Sequence, residues 1–246
     1  MKKLLILIVL SCLCASFAAA EPVKVIPYPA GTDTKTEGAS SAPQNINHKY
    51  SIYFDTMTDY FELQPNERRI ILPHFPTYQQ TKENTCGPAA ALTVLYYYGN
   101  TDYTEASLAV EMKTQPYPIG ANPKDMLAFF ERLGWHTDSS LTHKKFEDYD
   151  SFKNFIIANL KRNIPIMVEN IEWGGHWRVI IGYDDLGTAS TLDDVLIMAD
   201  PYDTCDHKQD GYAVNNGEKF YSMWFDHSML PKDQAEQPFI IASPVN

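Results

Sequence analysis

The stretch Thr85-Cys86-Gly87-Pro88-Ala89-Ala90-Ala91-Leu92 decides how the rest of the chain reads. It follows a polar run, Gln79-Gln80-Thr81-Lys82-Glu83-Asn84. It leads into Val94, Leu95, Tyr96 and Tyr98, then Gly99-Asn100. Proline suits the first turn of a helix, where its missing N–H needs no partner, and glycine suits a helix stop. The pattern predicts a buried helix with Cys86 at its N-terminus. Unpaired N–H groups and the positive dipole end stabilise a thiolate there and lower its pKa. A buried structural cysteine is the competing reading. A Gln and a His at suitable places favour a nucleophile.

Upstream, Met1 to Ala20 reads as a secretory signal peptide: Lys2-Lys3, an apolar run to Phe17, then Ala18-Ala19-Ala20 before Glu21. The run is too short for a spanning helix, so no stable membrane insertion is expected. A lipid anchor through Cys12 is the weaker alternative. Cleavage after Ala20 leaves 226 of the 246 residues, enough for one domain with an arm. It removes Lys2 and Lys3 and takes the net charge from −11 to −13. Such an acidic chain repels nucleic acid and anionic membranes. Cys12 and Cys14 leave with the signal, and Cys86 and Cys205 alone are no disulfide scaffold. Their pairing with each other is the simplest rival to catalysis in an oxidising environment. We expect Cys86 to be unpaired in the active form.

Glu21 to Asn47 is rich in Pro, Thr, Ser and Gly and reads as a flexible arm. Tyr50 to Leu72 reads either as edge strands or as a pro-segment, so residues 21–69 are set apart from a domain at 70–246. Within that domain Thr104 caps a helix to Met112, Asn122-Pro123 opens one ended by Gly134, and Asp150 caps one to Asn163. The period then changes. Ile164–Val168, Trp177–Tyr183, Val195–Ala199 and Phe239–Ala242 read as strands, and Lys219–Phe225 is ambiguous. Helices first and strands second give an α+β fold, with a mostly antiparallel sheet packed on the Cys86 helix.

A thiol nucleophile needs a base, an orienting group and oxyanion donors. His176 is the favoured base among seven histidines: it follows Gly174-Gly175 and opens a strand. Asp200 closes the next strand. An antiparallel hairpin centred near Thr188 sets Val179 opposite Ile197, Ile181 opposite Val195 and His176 opposite Asp200. A carboxylate there fixes the imidazole tautomer. Taken alone, His176 reads as a locally bonded strand-end residue and Asp200 as a turn acid; together with Cys86 they read as a site. Gln80, with Gln79 as competitor, is the oxyanion donor. Trp173 and Trp177 flank His176 and either wall a substrate cleft with Gly175 or belong to the core. His136 and His143 lie in or near predicted loops and read as surface residues, and His74, His207 and His227 lack a comparable setting. The Asp203, Asp206, Asp210 cluster misses calcium-loop spacing and reads as a solvated loop.

These pieces together resemble papain-like cysteine peptidases, nearest to the bacterial bacteriocin-processing, double-glycine-leader peptidases and their secreted relatives. The carrying stretches are Gln80 with Cys86-Gly87-Pro88-Ala89-Ala90, then Gly175-His176-Trp177-Arg178-Val179-Ile180-Ile181-Gly182-Tyr183, then Ala199-Asp200-Pro201-Tyr202. The Cys-Gly-Ser-Cys-Trp context of papain proper is absent. The resemblance runs from about Leu72 onward. It implies a Cys86–His176–Asp200 triad with Gln80 at the oxyanion, acting on a peptide or protein substrate, as a monomer with no metal or organic cofactor. An acyltransferase with the same triad and a non-catalytic binding module are the alternatives.

Overall fold

The computed structural model describes residues 21–42, 58–204 and 208–245. The signal-peptide reading and Cys205, with its pairing to Cys86, lie outside these residues. Seven strands form one sheet in which every ladder is antiparallel. They are β1 (Arg69–Ile71), β2 (His136–Ser139), β3 (Ile166–Asn170), β4 (His176–Asp184), β5 (Val195–Ala199), β6 (Tyr212–Asn216) and β7 (Phe239–Ser243). The helices are α1 (Cys86–Tyr97), α2 (Glu105–Glu111), α3 (Pro123–Arg132), α4 (Tyr149–Leu160) and α5 (Gly217–Ser222). The order β2-β7-β3-β4-β5-β6 puts β4 in the interior, and β1 continues the edge where β3 leaves off. Every residue of β4 is buried.

Successive strand residues face opposite sides of a sheet, and β4 uses both. Trp177 lies under α1: a Cβ placed on Gly87 would be 3.4 Å from its ring. Arg178, the next residue, lies over the ring of Phe220 in α5 at 5.9 Å, and Phe220 stacks on Phe152 of α4. The sheet is therefore covered on both faces, as the α+β expectation requires. Cys86–Leu95 of α1 are all buried, which accounts for its unbroken apolar sequence.

Several expectations shift. The α4 cap is Asp148, not Asp150: the Asp148 carboxylate accepts from Ser151 N–H at 2.8 Å, and the Ser151 hydroxyl reaches back in a capping box. The helix ends at Leu160 rather than Asn163. Strand β3 begins at Ile166 because Pro165 cannot donate to a ladder, and it runs through Glu169 and Asn170, polar yet buried. The β4–β5 register pairs Val179 with Ala199 and Ile180 with Met198, then shifts at Ile181 so that Gly182 meets Ile197. That is two positions from the expected pairing before the bulge and three beyond it. The even shift on the site's side of the bulge keeps side chains there on their expected faces. Lys219 falls in helix α5, capped by Asn216, whose side chain accepts from Lys219 N–H at 2.9 Å. Asp203 is buried, not solvated, and accepts from Gly211 N–H at 2.9 Å. Among the described residues no helix is long and apolar enough to cross a membrane.

The region read as an arm has a packed part. Val25 bridges Thr77, Ile26 N–H donates to Thr77 C=O at 2.9 Å, and Thr77 N–H returns to Lys24 C=O at 3.0 Å. Farther on, Gly38 N–H donates to Glu83 at 2.9 Å and Ser40 N–H to Gln80 C=O at 3.1 Å. Ile26 and Ala39 are buried. Residues 21–42 thus lie along 77–83, the approach to Cys86. Gly38 has φ 70° and ψ 174°, a region open almost only to glycine. A Cβ there would come within 2.5 Å of Gln80 O and 2.6 Å of the Thr81 carbonyl carbon. Gly38→Ala is expected to lower unfolding stability by about 1–3 kcal/mol, seen as a lower urea midpoint at unchanged slope. An unchanged midpoint would mean that this turn is not held against the loop.

Candidate active site

Cys86 is the first residue of α1, buried at 8% exposure. Its N-cap Thr85 does not cap: the Thr85 hydroxyl bonds Lys82 C=O at 3.0 Å and the Glu105 carboxylate at 2.5 Å. No acidic side chain lies in the first turn either. The first N–H groups of α1 are therefore not engaged by any side-chain cap, and such groups attract an anion.

His176, the first residue of β4, is 3% exposed. Its Nε2 is 2.6 Å from Asp200 Oδ1, and Cys86 is near enough to raise its pKa. With Nε2 taken by the carboxylate, Nδ1 is the nitrogen left for sulfur. Asp200 follows directly on β5 and is 5% exposed. Continuing the observed register one step sets Asp200 opposite Arg178, with His176 diagonal to it. Diagonal neighbours on one face still touch, so the two-position shift keeps the pair together. Asp200 Oδ1 also accepts Tyr202 N–H at 2.8 Å, and Oδ2 lies 3.9 Å from Arg178. Arg178 is bonded in turn by Asn170 at 2.9 Å and by Glu172.

Burial alone would pull the His176 imidazolium down. The Asp200 charge and hydrogen bond, with Cys86, overcome it and raise its pKa to about 9. Burial likewise opposes the Asp200 carboxylate, but His176, Arg178 and the Tyr202 N–H hold it below the usual range.

Gln80 is buried, its backbone N–H bonded to Pro201 C=O at 2.9 Å. Its side-chain Nε2 donates to Lys82 C=O at 2.7 Å and, at 3.4 Å, to Glu83 C=O. The amide thus turns into its own loop, and Gln79 donates to Asp200 C=O at 3.3 Å. Trp173 stands out at 65% exposure, its ring 6.1 Å from that of Tyr202. Trp177 is core, 2% exposed, with Nε1 donating to Ala121 C=O at 2.9 Å. It supports the site from beneath and presents no wall to a substrate. Gly175, at φ 114°, has no open space either: a Cβ would collide with Asp226 and come within 3.1 Å of Glu169. A depression of about 320 Å³ opens beside Trp173, Glu172, Arg178 and Asp200.

Two supporting residues were not anticipated from the sequence. The ring of Tyr202 stands edge-on to His176 at 6.3 Å, and its hydroxyl donates to Glu83 at 3.2 Å. Glu105, buried at the start of α2, accepts from Thr81 N–H (2.8 Å), Thr81 hydroxyl (2.6 Å), Tyr78 hydroxyl (3.0 Å) and Thr85 hydroxyl. In sequence it is an ordinary first-turn acid. In the fold it fixes the loop that carries Gln80 and leads to Cys86. Glu105→Ala strands several buried donors, so a loss of about 3 kcal/mol or more is expected. Faster hydrogen exchange at Thr81 N–H than at the α4 amides checks that the loop is what loosens.

Residues 73–227 match the model of the Peptidase_C39-like family. Among solved structures, the peptidase domain of Streptococcus ComA, a bi-functional ABC transporter in a quorum-sensing pathway, is 20% identical. The alignment covers 70% of this chain and 100% of that one, with a TM-score of 0.47. A double-glycine-motif protease from an AMS/PCAT transporter, solved with its leader peptide, is 16% identical. It covers 69% of this chain and 91% of that one at a TM-score of 0.43. No curated protein matches the chain.

Proposed function

The chain belongs to the Peptidase_C39-like family and is a papain-like cysteine peptidase; from that premise we propose that Cys86, His176 and Asp200 are its catalytic triad, with Gln80 as oxyanion donor, acting on a peptide or protein substrate. The observation that carries the reading is the buried Asp200–His176 pair, 2.6 Å between carboxylate and ring, with buried Cys86 near enough to raise the imidazole pKa.

His176 Nδ1 takes the Cys86 proton, and the thiolate attacks the amide carbonyl carbon. The negative oxygen is held by the Cys86 N–H at the uncapped end of α1 and by Gln80. A primary amide carries two donor hydrogens. One is committed to Lys82, and the longer contact to Glu83 leaves the other available. The imidazolium then protonates the leaving amine, and water attacks the thioester to release the acid and restore the thiol. Asp200 keeps its charge throughout and fixes the ring tautomer. We infer also that the enzyme is secreted or periplasmic after cleavage behind Ala20; N-terminal sequencing of exported material is expected to begin at Glu21, and a start at lipid-modified Cys12 would overturn this.

Peptide hydrolysis tests the triad. Cys86→Ala and His176→Ala are expected to abolish turnover. Asp200→Ala and Gln80→Ala are expected to cost on the order of 10²–10⁴. Wild-type turnover by Cys86→Ala would refute the mechanism.

The pH profile is a second test. His176 is raised from 6.5 to about 9. The contribution of its ion pair to stability is thus complete below about pH 6.5 and is lost as pH rises through about 9. Activity that requires the imidazolium falls over the same interval. Asp200→Ala leaves burial as the main influence on His176, and its alkaline limb is expected below about pH 6.5. An unmoved limb would mean that Asp200 does not set the charge of His176.

A further inference from the structure

Two acidic side chains meet behind the site. Glu169 projects from β3, in register opposite Trp177, and is 2% exposed. Asp226 follows α5 and is fully buried. Asp226 Oδ1 is occupied by Ser228 N–H (2.8 Å), Ser228 hydroxyl (2.7 Å) and Met229 N–H (3.0 Å). Asp226 Oδ2 and Glu169 Oε2 are buried with no hydrogen-bond partner. Both side chains lie against the α-carbon of Gly175, where a Cβ would strike Asp226 Oδ2 and crowd Glu169 Oε1. Gly175 is the residue before His176.

Two carboxylates set against one glycine and out of water strongly resist ionising together. The ionisable groups facing them are Cys86 from α1 and Arg178 from β4. The Arg178 guanidinium is already bonded to Asn170 and Glu172 and lies near Asp200. Among the described residues no third acidic, His or Cys side chain completes a cation site. We propose that Glu169 and Asp226 hold one proton between them, and that this O–H···O bridge backs Gly175 and so positions His176 against Cys86. Glu169 is the donor: burial first, then the charges of Asp226 and Cys86, push its carboxyl well above the usual range. The bridge ties β3 to the 226–235 turn, whose own closure is Asp226 N–H to Ala235 C=O at 2.8 Å. It also limits the pair to one negative charge, which spares a neighbouring thiolate a second repulsion. Glu169 and Asp226 are positioning residues; neither reaches the reacting atoms.

The inference rests on Cys86 and His176 as the reacting pair, and its test needs no peptide substrate, so its failure is separable from failure of the peptidase mechanism. Infrared spectra of the full chain at neutral pH are expected to show a protonated carboxyl band that shifts in D₂O and is missing in Glu169→Gln. A group with a raised folded pKa binds its proton more tightly folded than unfolded, so it lets stability fall as pH rises. Wild-type Tm should therefore fall relative to Glu169→Gln as pH rises above the free carboxyl range; the His176 contribution is common to both and cancels. If Glu169→Gln does not fold, Asp226→Asn replaces it: the acceptor changes from carboxylate to amide, the protonated carboxyl band is expected to move in frequency, and an unmoved band would overturn the shared proton. Cys86 alkylation by iodoacetamide reads the positioning: Glu169→Gln, which still donates to Asp226, should react about tenfold faster than Glu169→Ala. No band lost and parallel Tm curves would overturn the shared proton. Equal alkylation of the Gln and Ala variants would overturn the positioning role.

Discussion

The site depends on an imidazole and a carboxylate 2.6 Å apart with almost no solvent around either. Each is unfavourable as a lone charge in that setting, and each makes the other's charge tolerable. The constraint reaches back into the sheet. His176 must open β4 and Asp200 must end β5, and the strands must lie on one face in a register that keeps them diagonal. The bulge at Ile181 lies beyond the pair, toward β1, and so does not disturb it.

Around this pair the chain spends its buried polar groups on loops rather than on the reacting atoms. Glu105 gathers three side chains and an amide from the approach to Cys86. Residues 37–40 clamp the same loop from the other side through Glu37–Lys82, Gly38–Glu83 and Ser40–Gln80. Arg178 closes the distant side with Asn170, Glu172 and Asp200. Buried networks of this kind hold a geometry when every member is satisfied. Unpartnered atoms remain in them, Arg178 Nε, Asn170 Nδ2 and Gln80 Oε1 among them, and in Glu169 and Asp226 two such oxygens belong to acidic groups set against one glycine.

Much of this was legible in the sequence. Pro88 after Cys86 and Gly99 at the far end set α1, because proline and glycine act through the local backbone whatever surrounds them. Thr104 and Asn122-Pro123 set α2 and α3 the same way. The interior strands β4, β5 and β7 were legible as apolar runs, because a strand buried on both faces has no polar alternation to confuse. The edge strands were not. His136–Ser139 and Tyr212–Asn216 end the sheet on either side, and an edge is selected for polar residues that discourage further pairing.

The sequence by itself determined the order of elements and the types of the reacting groups, since capping, proline placement and apolar period are local properties. The tertiary structure alone decided which groups share a volume. Trp173 and Trp177 lie three positions before and one after His176, yet one is exposed on the turn that precedes β4 and the other is buried beneath α1 within the strand. Glu105, Glu169 and Asp226 read as ordinary acids until the fold removed water from them. Burial is a sum over neighbours distant in the chain, so no local pattern carries it.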